Sequence, residues 1–182
     1  LVHGESDGIP AVVADRFGDA IVVASYAAGA DALARYVARA LAAGAGDPVV
    51  GPARHVVVRA ARRRRGPPAP PHVVRGAPPG LARFTEGPLA FAVDLAGGQK
   101  TGTYLDLRAL RRAVAEARQA GARVLNLFSY TGMLGRAAEA AGAAEIVQVD
   151  ASERALAFAA EHHVGDPARH RFITADLFEW LP

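Results

Sequence analysis

"RVLNLFSYTGMLGRAAEAAGAAEIVQVD" (residues 123–150) decides the fold. An apolar run ends at Phe128, and the four small or polar residues Ser129-Tyr130-Thr131-Gly132 follow. A helical pattern then runs from Met133 to Gly142, and "EIVQVD" (145–150) repeats the strand texture. The same alternation extends on both sides. "TYLDLRALRRAVAEARQAG" (103–121) predicts a helix with Leu107, Leu110, Val114 and Ala117 on its apolar face and Gly121 as its stop. "SERALAFAAEHH" (152–163) predicts a helix opened by Ser152, "RFITAD" (171–176) a third strand, and "LFEWL" a last helix. Strands and helices alternating at this spacing make a parallel sheet with right-handed crossovers.

Upstream the texture differs. "PAVVADRFGDAIVVASY" (10–26) reads as two β-runs hinged at Gly18-Asp19. "DALARYVARALAAG" (31–44) predicts a helix capped by Asp31 and stopped by Gly44. "HVVVRA" (55–60), "HVVRG" (72–76) and "LAFAVDL" (89–95) are strand-like. The expected organisation is a small α+β domain over 1–88, followed over 89–182 by an α/β sheet.

The 182 residues are 51% apolar, and no run of about 18 of them lacks a charge, so no membrane span is predicted. No cysteine is present, which excludes disulfides and thiolate metal sites and is compatible with a cytoplasmic protein. Adjacent His162 and His163 diverge by about 100° on a helix, so no metal site is predicted. The formal charge of +3 divides unevenly, as +5 over residues 1–84 and −2 over 85–182. A basic first half suits a polyanion such as RNA. The run Arg62-Arg63-Arg64-Arg65 is open to two readings, a solvated hairpin loop or a loop that touches phosphate.

In an open parallel sheet, ligands sit beyond the carboxyl ends of the strands. Three such ends carry ligand-type residues: the 129–132 turn, Asp150 and Asp176. Ser129 and Thr131 offer hydroxyls, and Gly132 allows a close backbone approach. Asp150 is placed to accept from ribose hydroxyls, and Asp176 to meet an adenine amine. Each also has a structural role to play, Asp150 as a solvated strand end and Asp176 with Glu179 as a capping box. A pyrophosphate-seating G-x-G-x-x-G is absent, since the turn holds only Gly132 and Gly135, with Tyr130 and Met133 crowding it. S-adenosylmethionine, which has no phosphate, fits better than NAD.

"GGQKTGTYLDLR" (97–108), "LNLFSYTG" (125–132), "VDAS" (149–152) and "ADLFEWL" (175–181) resemble the class I methyltransferase family that modifies 23S ribosomal RNA at cytosine carbon 5. "GESDGIPAVVADRFGD" (4–19) resembles that family's entry into its central domain. Met133 and Leu107 stand where relatives tend to carry glycine and glutamine. The resemblance implies a PUA domain, a central α+β domain and a Rossmann-like sheet, of which this chain would hold the central domain and the N-terminal half of the sheet. It implies that Gln99, Lys100, Thr101 and Tyr104 lie along the methionine end of the cofactor, with Asp106 and Arg108 holding loop and helix. Phe128, Ser129, Tyr130, Thr131 and Gly132 would line the turn, with Asp150, Ala151 and Ser152 at the ribose and Asp176 and Leu177 near the adenine. Asn126, polar within an apolar strand, either reaches the site or is satisfied locally.

In such a family a thiolate adds to cytosine carbon 6 before carbon 5 accepts a methyl group. With no cysteine here, the chain is expected to be an interior fragment carrying no catalytic residue and inert by itself. Ribosomal RNA is the expected partner, and homodimerisation is left open. The competing expectations are a non-catalytic RNA-binding or assembly module and a NAD-dependent oxidoreductase.

Overall fold

Gly18-Asp19 turns the chain between the two apolar runs over 10–26, which pair antiparallel. The structure, a computed structural model, describes residues 1–61, 70–77, 80–98 and 100–180. They form two compact units, Leu1–Phe84 with Val93–Thr103, and Thr85–Ala92 with Tyr104–Pro182. The arginine run 62–65 and Gln99 lie outside the described residues.

In the first unit, β1 (Val2–His3), β2 (Val12–Phe17), β3 (Ala20–Ser25), β4 (His55–Arg59) and β5 (His72–Arg75) form one sheet in chain order. β3 and β4 run parallel and the other neighbours antiparallel. Strand β3, "AIVVAS", is buried at every residue, as a continuous apolar run in mid-sheet should be. Helix α1 (Asp31–Ala43) connects β3 to β4 and buries Ala34, Val37 and Ala38 against Ile21, Val23, Val56 and Val58. Asp31 is not the cap its position suggests. A 3₁₀ turn at Ala28–Ala30 runs straight into the helix, so Asp31 is already helical and its carboxylate accepts from the amide of Ala61 at 3.3 Å.

Strands β6 (Leu81–Glu86) and β7 (Leu89–Asp94) pair as a hairpin. The sequence division at residue 88 falls at the hairpin's turn, and each compact unit takes part of both strands.

The second unit continues with α2 (Arg108–Glu116), β8 (Arg123–Leu127), α3 (Met133–Ala140), β9 (Glu145–Asp150), α4 (Glu153–His162), β10 (His170–Thr174) and α5 (Leu177–Trp180). Its three strands are parallel, in the order β10-β9-β8. This is the Rossmann-like α/β arrangement expected. Ala138, Ala143 and Ile146 form the core between α3 and the sheet, with Val114 and Val124 packed on it.

Helix α2 departs from its sequence pattern. It ends at Glu116, with Ala117 extended, and Leu107 and Leu110 are exposed. The residue it buries is Arg111, whose guanidinium pairs with both Glu86 oxygens at 2.7 and 2.6 Å, donates to the Tyr104 carbonyl at 2.9 Å and lies over the Phe91 ring. A bidentate ion pair to the hairpin sets this helix's inner face, in place of the leucine stripe.

Candidate cofactor site at the strand ends of the second unit

Register brings the three strand ends together. Leu127 lies opposite Val149, and Asp150 opposite Thr174. The ladder continues one step past each end, with Ser129 N–H donating to Val149 O at 3.0 Å and Ala175 N–H to Asp150 O at 3.1 Å. The turn after β8, Asp150 and the turn before α5 therefore share one edge.

The turn itself is contorted. Phe128, Tyr130 and Gly132 have φ of 52°, 48° and 73°. Left-handed conformations at two aromatic residues cost energy and concentrate at functional sites. What holds them is specific. Tyr130 N–H donates to Asp150 Oδ2 at 2.7 Å, and Ser152 N–H to Asp150 Oδ1 at 2.9 Å. The Asp150 carboxylate is thus oriented by two amides, while each oxygen keeps acceptor capacity for a ligand hydroxyl.

Beneath the turn lies Gln148, fully buried in β9. A Cβ on Gly132 would come within 2.7 Å of its Oε1, and one on Gly135 within 2.5 Å. Both glycines accordingly make room for Gln148 on their inner side. Its amide accepts from Asn126 Nδ2 at 3.3 Å and reaches His170 Nδ1 at 3.1 Å. Asn126 thereby has a local partner in Gln148.

A third support is His163. Its Nδ1–H donates to the Thr131 carbonyl, and its Nε2 accepts from Ala92 N–H at 2.9 Å. Those partners assign the neutral Nδ1–H tautomer. Burial pushes its pKa down to about 4, outweighing the bond to the Thr131 carbonyl, which favours the protonated ring.

Three further features mark this edge. The Ser129 hydroxyl is buried with no hydrogen-bond partner, and no side chain caps the N-terminus of α3. Phe128 and Phe178 are 62% and 87% exposed, with ring centres 5.9 Å apart. Tyr104 sets its ring edge-on to Tyr130 at 5.6 Å.

Residues 12–181 match the family of S-adenosylmethionine-dependent methyltransferases. The chain belongs to that family. Among curated proteins it is 35% identical to the ribosomal RNA large subunit methyltransferase I of Serratia proteamaculans, over all of this chain and 46% of that protein. It is 36% identical to the ribosomal RNA large subunit methyltransferase of Deinococcus radiodurans, over all of this chain and 45% of that protein. The chain thus spans about half the length of these curated relatives. A solved protein from Streptococcus mutans, assigned as a SAM-dependent methyltransferase, superposes with a TM-score of 0.77 at 23% identity, covering 97% of this chain and 45% of that one. A structure assigned as a methyltransferase and complexed with SAH gives 0.78 at 23% identity, covering 98% and 45%. At that identity these two likenesses show the fold.

As a methyltransferase cofactor edge, the donor set is coherent. An orphaned buried hydroxyl at Ser129, an oriented carboxylate at Asp150 and exposed aromatic rings suit a nucleoside with an uncharged sugar.

The remaining expected residues divide. Ala151 is exposed, and Ser152 caps α4 by accepting from Ala155 N–H at 3.2 Å. Asp176 is exposed and accepts from Phe178 N–H at 2.9 Å, while Leu177 is buried. Lys100 and Thr101 belong to the first unit, where Lys100 is exposed and Thr101 is buried with its hydroxyl on Asp15 Oδ2 at 2.6 Å. Gln148, His163 and Phe178 were missed. Only Gln148 had a signal, being polar within an apolar strand.

Proposed function

We propose that this chain is the cofactor-binding half of an RNA methyltransferase that acts on 23S ribosomal RNA at cytosine carbon 5, in the cytoplasm. The observation that carries the cofactor half is the Asp150 carboxylate, fixed by the Tyr130 and Ser152 amides beside the unsatisfied Ser129 hydroxyl. The RNA half rests on the ribosomal RNA methyltransferases among the relatives and on the basic first unit.

Asp150 would accept from the ribose hydroxyls, with Ala151 and Ser152 beside them. Asp176 and Leu177 would meet the adenine, and the exposed rings of Phe128 and Phe178 would offer it an apolar surface. Ser129, Tyr130, Thr131 and Gly132 would shape the turn, with Asn126 setting it from below through Gln148. Gln99, Lys100, Thr101 and Tyr104 remain the proposed contacts for the methionine end. When bound, S-adenosylmethionine supplies the methyl group. The chain's own residues orient that donor. Attack from cytosine carbon 5 needs a nucleophile at carbon 6, and these 182 residues include no cysteine. We therefore expect the chain to bind the cofactor without methylating RNA.

Calorimetry with SAH tests this reading. The chain should bind SAH and bind NAD no better than background, and Asp150→Ala should weaken SAH at least about tenfold, the loss expected for charged hydrogen bonds. Absence of SAH heat with a chain whose circular dichroism shows it folded would refute the cofactor assignment.

A further inference from the structure

Helix α1 packs one side on the sheet of the first unit and leaves a basic, aromatic side to solvent. Ala34, Val37 and Ala38 are buried, while Arg35, Tyr36 and Arg39 are exposed, Tyr36 at 68%. With 3.6 residues per turn, positions 35, 39 and 42 form one row, the first two about 6 Å apart along the axis. Arg75, exposed on the edge strand β5, reaches the far end of that row, donating from Nη1 to the Ala42 carbonyl at 2.7 Å. That bond uses one of the five N–H donors of its guanidinium.

No carboxylate answers this row. Among the described residues, none lies within ion-pair distance of Arg35, Arg39 or Arg75. The acidic residues of α1 and of the loop after it are turned elsewhere. Asp31 Oδ1 accepts from Ala61 N–H at 3.3 Å, and Asp47 Oδ1 from Val49 N–H at 2.8 Å. A merely solvated helix face gains from alternating signs, and like charges four residues apart weaken the helix that carries them. Arg35 and Arg39 accept that penalty in a segment, residues 1–84, whose sequence is already at a net +5.

We propose that the outer face of α1 binds a single-stranded stretch of the RNA substrate, with Arg35, Arg39 and Arg75 on its phosphates and the Tyr36 ring against a base. The guanidinium fork matches phosphate oxygens. An exposed aromatic beside a row of cations gives a base its stacking surface, which an acidic peptide would leave unused. Phosphate contacts position the strand without reading its sequence. The inference rests on the RNA substrate proposed above.

Anisotropy of a fluorescein-labelled single-stranded RNA of about 12 nucleotides, titrated with the chain across a salt series, tests it. Each phosphate contact contributes about 0.7 to the slope of log affinity against log salt. Arg35→Gln combined with Arg39→Gln should lower affinity about tenfold or more and flatten the slope by about 1.4, and the corresponding double lysine variant should keep the slope. Tyr36→Ala should lower affinity about fivefold or more with the slope unchanged. Arg83→Gln, which removes an exposed charge on β6, should alter neither. All these side chains are exposed, and circular dichroism checks that each variant folds. Unaltered affinity and slope in the folded double glutamine variant would overturn the face while leaving the RNA substrate standing. An equal loss per arginine in Arg83→Gln would mark diffuse charge and overturn the face as well. Failure of the parent chain to bind RNA would overturn both. Tighter binding of polyglutamate than of RNA, lost in the double glutamine variant, would assign the face to an acidic protein and overturn the proposal.

Discussion

Acidification loads the support under the turn that follows β8 at one identifiable atom. His163 is 1% exposed and joins the Thr131 carbonyl to the Ala92 amide. A second proton on Nε2 would oppose the Ala92 N–H and remove its acceptor. Burial therefore holds the folded pKa at about 4, against 6.5 for the free side chain. The unfolded chain takes up this proton first as pH falls. Stability from His163 is complete above about pH 6.5 and is lost as pH drops through about 4. The full linkage is ~3 kcal/mol, of which ~2 kcal/mol is gone by about pH 5.

Urea unfolding followed by Trp180 fluorescence measures this, because the chain has one tryptophan and it lies in α5 of the second unit. The comparison is parent against His163→Gln at about pH 7.5 and about pH 5, with a difference in acid loss of ~2 kcal/mol expected. His170 also has its pKa lowered, by burial first, and adds loss of the same sign in this range. Glu139 acts lower. Burial raises its pKa, but bonds from Gly165, Arg136 and Asp166 outweigh this, so its contribution is present above the ordinary carboxylate range and lost below it. Both groups remain in the variant, so the difference between the two profiles isolates His163. Parallel profiles would refute the neutral, doubly bonded imidazole.

Gly135→Ala should cost ~2 kcal/mol in the same unfolding assay, because its Cβ would meet Gln148 Oε1 at 2.5 Å, and Gln148→Ala in the same chain should recover part of that. Arg111→Ala leaves the buried Glu86 carboxylate without its bidentate partner and should destabilise the second unit by ~3–5 kcal/mol, whereas Arg111→Met with Glu86→Leu should lose far less. Phe178→Ala should leave stability within ~0.5 kcal/mol, since the ring is 87% exposed, yet weaken SAH severalfold in calorimetry; unchanged SAH affinity would remove Phe178 from the adenine face.

The strand ends were legible because they depend on local pattern. "EIVQVD" appears as β9 over Glu145–Asp150, and Ser152 caps the next helix as read. Once three parallel strands are in register, Phe128, Asp150 and Thr174 must lie at one edge, whatever the rest of the chain does. Strand β6 was missed because "LARFTE" alternates too weakly to stand out, and it becomes a strand by pairing with β7. Helix α2 shows the same limit more sharply. Its leucine spacing is a sound amphipathic pattern, but the inner face is chosen by Glu86, more than twenty residues away, which draws Arg111 inward. The glycines of the turn carry the lesson to the site itself. From sequence, Gly132 gives a ligand access to the backbone. In the structure its missing Cβ also admits Gln148 from β9, while its neighbour Thr131 is held from α4's end by His163. Spacing identifies which residues can touch a cofactor. The conformation that lets them do so is imposed by side chains with no motif of their own, so substitutions at Gln148 and His163 should disturb cofactor binding without any contact to the cofactor.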